Sequence, residues 1–163
     1  MTQSDRFAAR FAVLAQKKEG AFVPFVNLCD PTPEISSQIL EALAAGGADA
    51  LELGIPFSDP CADGPVIEAS AQRALAAGST TAKCLGIIKA FRAKHPDIPV
   101  SLMLYVNLVT APGVENFFAA AKDAGVDAVL IPDVPISMRE AESEWDAAAK
   151  AHGIHLIAIA PPN

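Results

Sequence analysis

The residues that could do proton chemistry cluster in one stretch, LELGIPFSDPCADGP, residues 51–65. It opens as an apolar strand and runs into a loop rich in glycine, proline and acid. Glu52 occupies a strand position where a core residue belongs, and Asp59 and Asp63 follow in the loop. A comparison within the chain sharpens the point. GGADALEL (46–53) matches AGVDAVLI (124–131) almost residue for residue, and Glu52 falls opposite Leu130. An unpaired carboxylate in an apolar strand costs several kcal/mol, so a chain keeps one mainly when it has a task. Two carboxylates in unlike surroundings are ordinary equipment for acid/base work. Apolar neighbours favour the proton-carrying form of Glu52, which can then donate and accept. Asp63, on a loop, stays charged and can hold a partial positive charge.

Other candidates have simpler readings. Asp30-Pro31 and Asp59-Pro60 are turn sequences, and Asp133, in IPDVP, serves equally as a turn or a cap. His95 and His152 stand at helix ends, where a cation complements the helix dipole. His155 opens a strand with no ligand at metal spacing. Cys29, Cys61 and Cys84 are odd in number and lack C-x-x-C spacing, which fits reduced thiols in a cytoplasmic protein. Glycine-rich nucleotide fingerprints and the G-x-S-x-G elbow are absent from the sequence.

The elements that must position these acids alternate. Apolar runs at 21–28, 48–53, 98–105, 127–131 and 154–160 read as buried strands. Between them lie helical stripes: Ile35, Ile39, Leu40 and Leu43; Cys84, Ile87, Ile88 and Phe91; Val114, Phe117, Phe118 and Ala121; Met138, Ala141, Trp145 and Ala148. An opening helix carries Phe7, Phe11 and Leu14 and is expected to close at Gly20. Thr32 and Pro33 read as N-cap and first residue of the next helix. Nearly continuous apolar strands separated by helices predict a parallel sheet covered by helices. With 163 residues, 52% hydrophobic and 19% charged, the chain reads as one domain, residues 1–163. Its net charge of −7 argues against nucleic-acid or anionic-membrane surfaces. No apolar run reaches the ~20 residues of a membrane span, and the first residues carry no signal-peptide pattern. The series stops after strand five. It is either an open five-stranded sheet or, as we favour, about five of the eight units of a (β/α)8 barrel, which takes ~250 residues. In such folds function gathers at the C-terminal ends of the strands, where Asp30, Glu52, Asp59, Asp63 and Asp133 all lie.

The 51–65 stretch resembles the signature of the tryptophan synthase α subunits, which are (β/α)8 TIM barrels. GAFVPFVNLCDP (20–31), ALAAGSTTAKC (74–84), LYVNLV (104–109) and IPDVP (131–135) resemble segments of that family in the same order. The resemblance implies a lyase of tryptophan biosynthesis that cleaves indole-3-glycerol phosphate to indole and glyceraldehyde 3-phosphate by a retro-aldol step. It implies no cofactor in this chain, and an α2β2-type complex with a β subunit that carries pyridoxal phosphate. By position, Glu52 resembles the general acid/base and Asp63 the residue that meets the indole N–H. Phe25, Met103, Tyr105, Leu130 and Ile159 match positions that line the indole pocket or lie close to it. The segment around Pro56 and Asp59 resembles the face that meets the β subunit. Two residues depart: Cys29 stands where glycine is common and Cys61 where leucine is common. The family's mobile loop and phosphate site belong to three further β/α units. The alternatives are a non-catalytic barrel piece that keeps part of the β-subunit face, or another phosphosugar barrel enzyme.

Overall fold

The structure, a computed structural model, describes residues 5–134 and 144–159. Its strands form only where the apolar runs pair with a neighbouring run, which makes them shorter than the runs themselves. They are β1 (Phe25–Asn27), β2 (Leu51–Gly54), β3 (Val100–Met103), β4 (Ala128–Leu130) and β5 (His155–Ile157). All pair in parallel, in the order β1-β2-β3-β4-β5. The five consecutive strands and the outer helices are those of a (β/α)8 barrel series, as the sequence predicts.

The helices are α1 (Arg6–Lys17), α2 (Pro33–Ala45), α3 (Pro65–Ala76), α4 (Thr81–Lys94), α5 (Val106–Thr110), α6 (Val114–Ala124) and α7 (Glu144–Ala151). Their starts follow local chemistry. Thr32 accepts the Ile35 N–H at 3.3 Å and Thr80 that of Lys83 at 3.2 Å, which satisfies backbone donors the first turn leaves open. Helix α1 ends earlier than expected. It stops at Lys17, and Lys18 takes the left-handed conformation at φ 57°, so no glycine closes it. Helices α3 and α5 were not expected from the apolar pattern. Of the last predicted stripe, Met138 and Ala141 lie outside the described residues.

Register fixes the two faces of the sheet. Val26, Leu53, Leu102, Val129 and Leu156 form one row across it. These face the helices: Leu53, Leu102 and Val129 are fully buried in one cluster with Leu40, Ile88, Phe91, Phe117 and Phe118. Each such aliphatic side chain contributes about 1.5–3 kcal/mol of burial. The flanking rows point the other way. One is Phe25, Glu52, Ser101, Ala128 and His155, and the other is Asn27, Gly54, Met103, Leu130 and Ile157. They line the concave face that a closed barrel would enclose.

The N-terminal end of the sheet is pinned by charge. Buried Asp127 accepts from Arg6 at 2.6 Å, Arg92 at 2.9 Å and the Val100 N–H at 2.9 Å. Arg92 also donates to the carbonyls of His95, Pro96, Ile98 and Gly125. Burial pulls the Arg92 pKa below its ordinary value, and the Asp127 charge opposes that. A buried ion pair is costly unless its remaining donors are satisfied, and here they are.

Candidate active site

Strand alternation places Glu52. Leu51 and Leu53 take the helix-facing side, so Glu52 points to the concave face. It is half-buried, between Phe25 on β1 and Ser101 on β3. Among the described residues its carboxylate has no ion-pair or side-chain hydrogen-bond partner. One step toward the C-terminal end, Gly54 leaves room that the neighbours already occupy. A Cβ there would collide with Asn27 Oδ1 and lie 2.8 Å from the Phe25 ring.

Tyr105 places Asp63. It is 4% exposed and stands just beyond β3, at the start of α5. Its ring stacks on Phe57 with centroids 5.3 Å apart. Its hydroxyl accepts the Ala62 N–H at 3.0 Å, one residue before Asp63, near enough for the Asp63 charge to act on the phenol. Burial chiefly pushes the Tyr105 phenol up, and the Asp63 charge adds to it. One side chain just beyond β3 thus touches the loop that leaves β2 at both Phe57 and Ala62.

Phe25, Met103 and Leu130 share the concave face with Glu52, each half-buried. Ile159 stands apart: it lies two residues beyond β5 and is 54% exposed. The other acids are engaged in structure. Asp30 accepts from Arg73 Nε at 2.9 Å, Arg73 Nη2 at 2.7 Å and Ser70 Oγ at 2.7 Å. The guanidinium and the hydroxyl hold its pKa below the ordinary value, against burial. Asp133 caps α5 across 27 residues, accepting the Val106 N–H at 3.1 and 3.2 Å. Asp59 accepts from Ser58 Oγ. The histidines pair with carboxylates: His95 with Glu41, His152 with Glu115 and His155 with Asp5. Among the described residues no cluster of three or more His, Cys, Asp or Glu could hold a metal ion.

Asn27 was not singled out by the sequence reading. It is 7% exposed, sits beside Gly54, and donates to the Ile67 carbonyl at 3.2 Å in the first turn of α3. It ties the end of β1 to the helix that follows the Asp63 loop. The signal was available: an asparagine in the apolar run AFVPFVNL breaks the pattern as Glu52 does. A cleft of about 640 Å³ lies between α2 and α4 on the helical side, lined by residues such as Thr32, Glu34, Ser37 and Lys83. Its lining includes neither Glu52 nor Asp63. Beside the β1 edge, a smaller cavity of about 210 Å³ includes Phe25 and Asn27.

The family model described as tryptophan synthase alpha chain matches residues 11–163. The tryptophan synthase alpha chain of Photobacterium profundum is 56% identical over 159 residues, covering 98% of this chain and 58% of that protein. The crystal structure of tryptophan synthase subunit alpha from Legionella pneumophila superposes with TM-score 0.88 at 32% identity, covering 93% of this chain and 57% of that one. A chain of the tryptophan synthase α2β2 complex from Pyrococcus furiosus does so with TM-score 0.79 at 38% identity, covering 86% and 56%. The chain thus spans a little under three-fifths of the length of these relatives. Over nearly all of its residues, it belongs to the tryptophan synthase alpha chain family.

Proposed function

We propose that the protein to which these residues belong cleaves indole-3-glycerol phosphate to indole and glyceraldehyde 3-phosphate, with Glu52 as acid and base and Asp63 as electrostatic partner. The observation that carries this reading is Glu52 itself, a carboxylate on the concave face with no ion-pair or side-chain hydrogen-bond partner among the described residues. The chemistry asks for such a group. Indole becomes a leaving group only after carbon 3 of its ring gains a proton, which Glu52 can donate. That protonation puts positive charge at the ring nitrogen, where an ionised Asp63 stabilises it. The Glu52 carboxylate then takes the proton of the adjacent glycerol hydroxyl. The oxygen electrons form the aldehyde carbonyl, the carbon–carbon bond breaks, and its electron pair neutralises the ring. Phe25, Met103 and Leu130 supply an apolar bed for indole; Ile159 belongs to the same wall if β5 extends. No step needs a metal or an organic cofactor in this chain.

The same reading includes a partner β subunit that holds pyridoxal phosphate and receives indole, meeting the segment around Pro56 and Asp59. It also includes residues 1–163 as one domain, the N-terminal portion of the barrel, and a cytoplasmic location; among the described residues no helix is long and apolar enough to cross a membrane. The decisive experiment is indole release from indole-3-glycerol phosphate by the full-length barrel protein that contains these residues, as wild type and as Glu52→Gln. The substitution keeps shape and removes proton transfer, so turnover should fall about 10²–10⁴-fold while substrate still binds. Near-normal turnover would remove Glu52 from the mechanism. A second reading, a non-catalytic barrel piece that binds the β subunit, draws on the openness of the concave face around Glu52. Absence of indole release from that full-length protein, with β-subunit binding intact, would favour it.

A further inference from the structure

Cys29 and Cys84 are 55 residues apart in sequence, yet their sulfurs lie 3.8 Å apart. Both are free thiols, and both are fully buried. They belong to different layers. Cys29 follows β1 at φ 64°, the left-handed region that favours glycine, and its N–H donates to Ser36 Oγ at 3.0 Å. Cys84 sits in the first half of α4, with its sulfur 3.4 Å from Ser79 Oγ. The third thiol, Cys61, is exposed on the loop after β2.

Two thiols in van der Waals contact need little movement to bond. A disulfide is about 2.05 Å long, so the sulfurs must close by somewhat under 2 Å, within reach of side-chain rotation plus a small shift of the loop. The fold brings together a pair that the chain alone would rarely join. Cys61 lies between them in sequence and would compete for either partner in an unfolded chain.

We propose that Cys29 and Cys84 form a latent dithiol that closes to a disulfide under peroxide, stapling the loop after β1 to α4. One sulfur, as thiolate, attacks a peroxide oxygen. The O–O bond breaks, and hydroxide leaves and takes up a proton to become water. The second sulfur attacks the resulting sulfenic sulfur. The S–O bond breaks, and a second water leaves with the remaining thiol proton. Two thiols lose two electrons in total, and one peroxide becomes two waters. Burial pushes the Cys84 thiol up to about 12, so the thiolate is scarce at neutral pH and the reaction is slow there. It quickens as pH rises.

The test uses the full chain in native buffer, treated with hydrogen peroxide. The peroxide is quenched, free thiols are alkylated during unfolding, and the protein is digested without reductant for mass spectrometry. A peptide linking Cys29 to Cys84 is expected as the main cross-link, both in the wild type and in Cys61→Ser. The same treatment in urea should spread cross-links toward Cys61. The midpoint of urea unfolding should rise on oxidation and fall back with dithiothreitol. The proposal is overturned by recovery of both cysteines alkylated, by separate sulfinic acids at both, or by dominance of Cys61-containing links in the folded protein. Loss of the link in Cys61→Ser, or an unchanged midpoint in the linked protein, would also overturn it.

Discussion

Glu52 is legible in sequence because it violates a pattern that everything around it obeys. Its match to Leu130 across the internal repeat spans 78 residues (130 − 52), whereas the sheet sets Glu52 in the row of Ala128 and Leu130 in the row of Gly54. The two alignments differ by two residues, an even number, so the face predicted for Glu52 is unaffected. The hold of Tyr105 on the Asp63 loop was not legible, because it joins residues 43 apart whose meeting depends on the packed fold. Tyr105→Phe keeps the ring stacked on Phe57 and removes the hydroxyl. Stability should drop by about 1 kcal/mol in urea unfolding, and indole release by the full-length barrel protein should fall through a lower kcat as Asp63 loses its register. A variant equal to wild type in both would show that the hydroxyl positions nothing. Asp30 is a pH prediction. Arg73 and Ser70 hold its folded pKa below the ordinary 3.8. Its contribution is therefore present above that value and lost as pH falls through the folded one. Arg73 is 56% exposed, so solvent screens the pair and its contribution is small. Urea midpoints measured from neutral to strongly acidic pH should fall less steeply in Asp30→Asn; an identical acid limb would mean that the pair is silent.

At the scale of elements, capping and stripe spacing carried far. Thr32 with Pro33 marks α2, and the stripes of α4 and α6 are buried as their periodicity implies. Helix α3 escaped because its core contacts are small: Ser70, Ala71 and Ala74 are buried while Val66 is 78% exposed. Periodicity reads contrast between large apolar and polar residues, and alanine gives little. Helix α5 is five residues long, too short to show a period, and its N-terminus is capped from Asp133 on another β/α unit. The closure of α1 at Lys18 was missed for another reason: non-glycine residues visit the left-handed region rarely, and glycine was available two positions on. Gly125, which closes α6, is the element most open to test. It has φ 86°, and a Cβ there would lie 2.7 Å from Arg92 Cγ. Arg92 is bound to the Gly125 carbonyl and to Asp127 and has little freedom to yield. Gly125→Ala should lower the unfolding free energy by more than about 1 kcal/mol. A neutral result would mean that the Arg92 network relaxes without loss.

For the whole molecule, the described sheet has two unpaired edges, β1 and β5, and a concave face with Phe25, Met103, Leu130 and Ile157 half-open. A barrel series of this kind gains its binding energy from all its units together. Substrate phosphate, held far from the reacting carbon, lowers the barrier as well as the dissociation constant. By family resemblance that anchor belongs to later units. A polypeptide of residues 1–163 alone is therefore expected to release no measurable indole, while the full barrel does so and is stimulated by a β subunit. Side-by-side assays decide it; substantial release by the short polypeptide would mean that a phosphate site exists within these residues. The strict neighbour order of the sheet has one more consequence, for biosynthesis. Successive paired residues Phe25, Glu52, Ser101, Ala128 and His155 are separated by 27, 49, 27 and 27 positions. Each of β2 to β5 pairs with the strand translated just before it, so none of these four pairings waits for a distant segment. At ~5–20 residues per second, a ribosome delivers each new strand about 1–10 seconds after the last. The growing chain can zip its sheet in order of emergence, with a single advancing edge that the next unit covers.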